Sequence, residues 1–305
     1  MSDDQSRRAA LKCLAFGGAG TVFALTGGIP VSFSLAEAAT PKYAQSRPLF
    51  VQISDTHIGF SKDANPDPSG TLTRAIALVN AMPAQPAFVM HTGDVSHLSK
   101  PAEYDTAQQL LKSFKVSELH VVPGEHDTID NGVEFMNRFG APSAGKGYYS
   151  FDKGGVHFIA LVNVFNFKAG GLGALGNDQL EFVENDLKGR PSSQPIVVFA
   201  HMPLWTIYEP WGWGTGDADQ LMGYLKRFGS VTVLNGHIHQ IVQKTEGHMV
   251  FHTARSTAFP QPTAGNGDAP GPMKVPADQL ASTLGITSIS LRKHALALTD
   301  ETLSA

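Results

Sequence analysis

Five short apolar runs in this chain each stop on residues that bind metals or move protons, and that recurrence limits what it can fold into. Ala87-Phe88-Val89-Met90 leads into His91-Thr92-Gly93-Asp94. A carboxylate just past a buried strand is costly unless a cation faces it, and Gly93 frees the backbone to turn there. Alone, a Gly-Asp pair is an ordinary loop start. Four other runs end in the same way. Leu49–Ile53 leads into Ser54-Asp55-Thr56-His57, and Leu119–Val122 into Pro123-Gly124-Glu125-His126-Asp127. Ile196–Ala200 ends on His201, and Val231–Leu234 leads into Asn235-Gly236-His237-Ile238-His239. In open α/β sheets the carboxyl ends of the strands are where ligands bind. Imidazole and carboxylate without thiolate suit Mn, Fe or Zn. The five runs together point to a metal centre.

The 305 residues, 42% hydrophobic and 16% charged, suffice for one large domain or two small ones. A net charge of −4 argues against a general nucleic-acid or anionic-membrane surface. At the N-terminus, Ser6-Arg7-Arg8-Ala9-Ala10-Leu11-Lys12 precedes the uncharged stretch 13–36 and the small-residue site Ala36-Glu37-Ala38. This is the layout of an export signal rather than a fold element, and the paired arginines point to the twin-arginine machinery. Residues 1–38 are therefore expected to be a cleaved twin-arginine signal peptide that leaves no stable membrane anchor. A bacterial periplasmic or secreted location follows. Cleavage would remove Cys13, the only cysteine, so the mature chain is expected to have no disulfide.

Along the rest of the chain, apolar residues at helical spacing alternate with the five strands at first: Leu72, Ile76 and Val79; Leu110, Leu111 and Phe114; a helix over 131–139. Tyr148–Phe151 and Val156–Val162 read as a hairpin, with helices over 178–187 and 217–228 after it. The end is strand-rich: Gln240–Lys244, Met249–Thr253, Thr287–Leu291 and Ala295–Leu298. Phe259 to Ala277, rich in Pro and Gly, reads as a loop folded over the surface, which either closes over the site or covers core. With no repeat and no linker, this predicts one α/β domain over 39–305, two packed β-sheets with helices outside.

Asp-x-His, Gly-Asp, Gly-Glu-His-Asp, His and Gly-His-x-His in that order resemble the calcineurin-like metallophosphoesterase family, nearest to its class III cyclic-nucleotide phosphodiesterase members. The resemblance spans essentially all of the mature chain. It implies a four-layer sandwich, two mixed sheets face to face flanked by helices. It also implies two divalent or mixed-valence metal ions (Mn, Fe or Zn). Asp55, His57 and His239 would hold the first, Glu125, His201 and His237 the second, and Asp94 would bridge them. The implied reaction is hydrolysis of a small phosphodiester or phosphomonoester by a metal-bridging hydroxide. His126 would serve as general acid and Asp127 would orient its ring.

Position 125 departs from the family, whose motif has Asn there. A carboxylate still binds metal, but it removes positive charge from a site that must attract an anion and makes bound water less acidic. Three outcomes stay open: an active enzyme with altered metal preference, a slow one, or a periplasmic metal-binding or sensing protein with little turnover. His97, three residues after Asp94, reads as a loop histidine or one packed behind the ligands, and His91 as a loop histidine or one touching the site; His120, His157, His248, His252 and His294 read as surface or satisfied core residues. Trp205, Tyr208, Trp211 and Trp213 form either a stacking wall for a planar leaving group or buried packing. The expected partner is a small phosphate ester, not long nucleic acid.

Overall fold

The computed structural model describes residues 48–166, 170–292 and 295–304, together with two backbone strands further upstream. Its strands are β1 (Thr21–Thr26), β2 (Ile29–Ser34), β3 (Phe50–Ile53), β4 (Phe88–His91), β5 (Leu119–Val121), β6 (Tyr149–Lys153), β7 (Val156–Ala160), β8 (Ile196–Phe199), β9 (Val231–Asn235), β10 (Gln243–Glu246), β11 (Met249–Thr253), β12 (Gly285–Arg292) and β13 (Ala295–Thr302). The helices are α1 (Pro68–Asn80), α2 (Pro101–Leu111), α3 (Val133–Phe139), α4 (Asn177–Leu187), α5 (Ala218–Leu225) and α6 (Ala277–Thr283). One sheet has the order β2-β1-β13-β12-β3-β4-β5 and the other β10-β11-β9-β8-β7-β6. In the first, β3, β4 and β5 run parallel; in the second, β7, β8, β9 and β11 do.

Strand alternation divides the apolar residues among three cores. Phe50, Phe88, Met90, Phe158, Val197, Phe199 and Leu234 point inward between the sheets. There the Phe50 ring stacks on Phe88 at 4.9 Å and meets Phe158 and Phe199 edge-on at 5.6 and 5.7 Å. The alternate residues Val51, Ile53, Val89 and Val121 face outward onto Leu72, Ile76, Val79 and Tyr104 of α1 and α2. On the far side, Ile196, Val198, Val231 and Val233 meet Leu180, Val183, Leu221 and Leu225 of α4 and α5. Helix, sheet, sheet, helix is the four-layer sandwich that the sequence pattern predicts. Strands buried on both faces carry near-unbroken apolar runs, which is why β3, β4, β8 and β9 stand out; β5, at the sheet edge, is only partly covered.

Local differences have local causes. Asn131 and Gly132 have φ of 64° and 75°, so α3 starts at Val133 rather than at 131. The hydroxyl of Thr253 accepts from the Val242 amide and donates to the Gln240 carbonyl, so β10 begins only at Gln243. Helix α6 was not expected; none of its residues is fully buried, so it writes no apolar stripe. Of the segment read as an export signal, residues 1–20, 27–28 and 35–38 lie outside the described residues, as does His294. The remainder forms β1 and β2, an antiparallel pair that joins the sheet edge through Phe23 opposite Leu298 and Ala24 opposite Ala297.

The inter-sheet aromatic cluster makes the two sheets one cooperative unit. Phe50→Ala is expected to lower unfolding stability by about 3–5 kcal/mol. The check is the denaturation midpoint, with an unchanged slope showing that the denatured state is not altered.

Candidate metal centre

Both sets of parallel strands point their carboxyl ends the same way, and the five loops leaving β3, β4, β5, β8 and β9 converge there. The loop after β3 brings Asp55 and His57, that after β4 brings Asp94, and that after β5 brings Glu125 and His126. His201 follows β8, and His237 and His239 follow β9. Ligand atoms of Asp55, His57 and His239 lie within 4.8 Å of one another, as do those of Glu125, His201 and His237. Asp94 Oδ2 sits between the groups, 3.4 Å from His57 Nε2 and 3.5 Å from His201 Nε2. His237 and His239 diverge, each toward a different group.

The backbone is bent to achieve this. Asp55, His57, Asp94, His237 and His239 all have positive φ, between 41° and 71°. A non-glycine residue in that region costs on the order of 1–3 kcal/mol and persists only where its surroundings impose it. These turns let residues two apart aim at one point or at two. Gly93 has a φ of 98°, and an added Cβ there would meet the His201 ring and the Gly124 amide.

The donor atoms meet as acceptor facing acceptor. His201 donates Nδ1–H to the Thr92 carbonyl at 2.7 Å, and His239 donates Nδ1–H to the Phe259 carbonyl at 2.6 Å. Each bond fixes the tautomer and turns the Nε2 lone pair inward. There His201 Nε2 lies 2.8 Å from Glu125 Oε2, and His239 Nε2 lies 3.2 Å from His57 Nε2 and 3.3 Å from Asp55 Oδ1. Glu125 Oε2, His201 Nε2 and both ring nitrogens of His237 are buried without a hydrogen bond. Such a set needs positive charge at its middle, and its oxygen and imidazole donors fit divalent metals. The titration behaviour agrees. Burial alone would raise Glu125, but His237 and His201 hold it well below the usual carboxylate range. Burial would lower His201, but Asp94 and Glu125 hold it well above the usual imidazole value. Metal binding at this group would displace that proton.

Glu125 fits here. Its two oxygens divide between the histidines, Oε2 toward His201 and Oε1 2.9 Å from His237 Nδ1. The longer side chain leaves both histidines in one ligand group.

His126 stands at the edge of the cluster. Its Nδ1–H donates to the His97 carbonyl at 2.7 Å, and its ring stacks on His97 with centroids 4.8 Å apart. Burial opposes its protonation, but Asp94 and Glu125 raise it above the ordinary value. His97 is lowered to about 4, by burial first and then by His126. The pair therefore carries its proton on His126.

Asp127 does not hold the His126 ring. Its fully buried carboxylate accepts from the amides of Val95, Ser96 and Gly124 at 2.9, 2.9 and 3.1 Å. It also accepts from the hydroxyls of Ser96 and Tyr104 at 3.0 and 2.9 Å. It ties the Asp94 loop to the Glu125 loop, and the ring is held by His97 instead. The role of His97 was invisible in sequence because a main-chain carbonyl, which every residue owns, makes the bond.

Two further findings concern the surroundings. Phe259, at the start of the Pro- and Gly-rich surface loop, is part of the site's wall. Its ring lies 4.7 Å from His57 and 4.8 Å from His239, and Gln261 donates to the His237 carbonyl at 2.9 Å. Of the aromatic group after His201, Trp211 and Trp213 are buried with Ile238 and form no open wall. His91 is buried and held neutral, lowered to about 3 by that burial. Its Nδ1 accepts from the Gly93 amide at 3.2 Å, and its other nitrogen donates to the Thr56 hydroxyl at 3.0 Å. His157 lies between Asp152 at 3.1 Å and Asp186 at 2.5 Å, a satisfied core histidine.

Replacing Asp127 by Ala would strand several buried donors at once. The expected loss is about 3 kcal/mol or more of unfolding stability in metal-free protein. Weaker metal binding in calorimetry should accompany it, because the Asp94 and Glu125 loops lose their common anchor.

Residues 48–241 match the calcineurin-like phosphoesterase family. A 3′,5′-cyclic-nucleotide phosphodiesterase of Nostoc sp. is 25% identical over 214 residues, covering 68% of this chain and 77% of that relative. A serine/threonine-protein phosphatase, CPPED1 of Danio rerio, is 26% identical over 221 residues, 63% of this chain and 70% of its own. Among solved structures, a dimetal phosphatase from Danio rerio superposes with a TM-score of 0.65 at 13% identity, over 84% of this chain and 97% of that one. A purple acid phosphatase from yellow lupin gives 0.60 at 14% identity, over 90% of this chain and 54% of that one. These superpositions show the shared fold. The chain belongs to the calcineurin-like phosphoesterases, and is a metal-dependent hydrolase of phosphoric esters.

Proposed function

We propose that this chain is an exported phosphoesterase with a two-metal centre, hydrolysing a small phosphodiester or phosphomonoester. The observation that carries the reading is the placement of Asp94 between two carboxylate–histidine groups, with one oxygen 3.4 and 3.5 Å from a histidine of each. Asp55, His57 and His239 would hold one ion and Glu125, His201 and His237 the other, with Asp94 shared. When bound, a metal pair neutralises phosphate charge and lowers the pKa of water, which supplies the nucleophile.

The chain's own groups supply the rest. His126 keeps Nδ1–H on the His97 carbonyl and, in its protonated form, offers the Nε2 proton to the departing ester oxygen. As the P–O bond breaks, that oxygen leaves as an alcohol and His126 is left neutral. The neutral ring of His97 stacked on it adds no competing charge. Phe259 covers His57 and His239 on one side and keeps water from that flank. The extra negative charge of Glu125, relative to a neutral amide, slows the reaction without emptying the site.

The test is hydrolysis of bis(p-nitrophenyl) phosphate and p-nitrophenyl phosphate by manganese-loaded protein. Wild type should turn over at least one of them, and Glu125→Asn should raise kcat by roughly tenfold, about 1.4 kcal/mol of barrier. His126→Ala should lower kcat by about 10²–10⁴ on an ester with an alkyl leaving group, and far less on these nitrophenyl esters, whose leaving group needs no proton, with unchanged metal stoichiometry. Tight metal binding with no turnover in wild type or Glu125→Asn would instead favour a periplasmic metal-binding or sensing protein.

Export rests on Arg7-Arg8 and the uncharged stretch that follows. Substituting both arginines by Lys should trap the protein in the cytoplasm on fractionation; unchanged export would refute the twin-arginine route.

A further inference from the structure

Among the described residues, the large apolar side chains that stay exposed all lie beyond the carboxyl ends of strands. They are Leu98, Ile129, Val133, Phe165 and Met273, between 36% and 57% exposed. Leu98 lies in the loop after β4, Ile129 and Val133 follow β5, Phe165 follows β7, and Met273 lies in the loop after β11. Those four strands are parallel within their sheets, so all five residues lie on the edge that carries the metal centre. Apolar residues scattered singly over a surface need no explanation. A set gathered around a polar centre does.

Neighbours in sequence and a few contacts place them beside the centre. Leu98 adjoins His97, whose ring stacks on His126, and Ser99 beside it donates to the His126 carbonyl at 2.8 Å. Ile129 comes three residues after His126. Gly132 and Val133 follow, and an added Cβ on Gly132 would lie 3.0 Å from the tip of the Phe165 ring. Opposite, Met273 donates its amide to the Pro260 carbonyl at 2.8 Å, next to the Phe259 that stacks on His57. Two exposed cations complete the pattern, since the charges of Lys62 and Lys100 both act on His97. Cationic and apolar side chains thus lie side by side next to the metal centre, as the head and tail of an amphiphile would require.

We propose that the substrate is an amphiphilic phosphate ester, whose phosphate sits at the carboxylate–histidine centre and whose alkyl or acyl chain lies across Leu98, Ile129, Val133 and Phe165. This rests on the phosphoesterase reading above and names its substrate class. A chain lying along a rim keeps one side in water. Half of the full transfer gain then gives about twofold per methylene and about 50-fold across six.

The probes are p-nitrophenyl ethyl phosphate and p-nitrophenyl octyl phosphate, held below micelle-forming concentration with manganese-loaded protein. Both release the same nitrophenolate, so the ratio of kcat/KM reads the chain alone. The expected ratio is about 50 in favour of octyl, falling to below ten in the Leu98→Ser, Ile129→Ser double variant. Calorimetric binding of octyl phosphate against ethyl phosphate should give the same preference without turnover. A wild-type ratio within twofold of one, or a ratio unchanged in the double variant, would overturn the proposal. So would a chain-independent ratio joined to dimerisation in ultracentrifugation, which would assign the rim to a second copy. If neither ester is hydrolysed, the phosphoesterase reading fails, and the calorimetric preference decides this inference by itself.

Discussion

Seven ionisable side chains aimed at one buried space is the constraint on which the rest of this structure depends. Carboxylate and imidazole lone pairs face each other at 2.8 to 3.5 Å around Asp94, an arrangement that repels unless positive charge lies among them. Hydrogen bonds from outside the group hold that arrangement. Main-chain carbonyls of Thr92 and Phe259 take the outer nitrogens of His201 and His239. Five of the ligand residues are held in left-handed turns that a free loop would abandon. The strain is stored at the functional edge, and the packed sheets beneath hold it in place.

That packing explains why the loops can be so tightly bent. Phe50, Phe88, Phe158 and Phe199 interlock between the sheets, so the carboxyl ends of β3, β4 and β8 cannot drift apart. Asp127 then couples the β4 and β5 loops through five accepted hydrogen bonds. A residue read as part of the proton relay is instead a brace for Asp94 and Glu125. The His126 ring is steered by the His97 carbonyl, stacked on the His97 ring and met edge-on by His57 at 4.7 Å. Glu125 illustrates the same economy of placement, since its longer side chain splits its two oxygens between His201 and His237.

Sequence pattern carried the strands and the ligand set because both depend on local chemistry repeated five times. An apolar run buried on two faces has to stop where the chain meets polar atoms. When each stop carries Asp, Glu or His, the shared edge of a sheet is the place where they meet. The helices were legible where an apolar stripe faced a sheet, as with Leu72, Ile76 and Val79. Helix α6, with no fully buried residue, left no such mark. The start of α3 was shifted by the left-handed Asn131 and Gly132, a backbone state that residue type alone does not dictate.

The layered α/β architecture was thus determined by the sequence itself, through the period of the apolar residues, and the order of the motifs named the residues that gather at the candidate metal centre. The tertiary structure alone decided how those residues divide. It sent His237 and His239 to different groups, set Asp94 between them, put the Phe259 ring against two histidines and gave Asp127 to the backbone rather than to His126. The reason is physical: these outcomes depend on backbone direction and on carbonyl and amide groups that every residue carries, so no side-chain pattern records them.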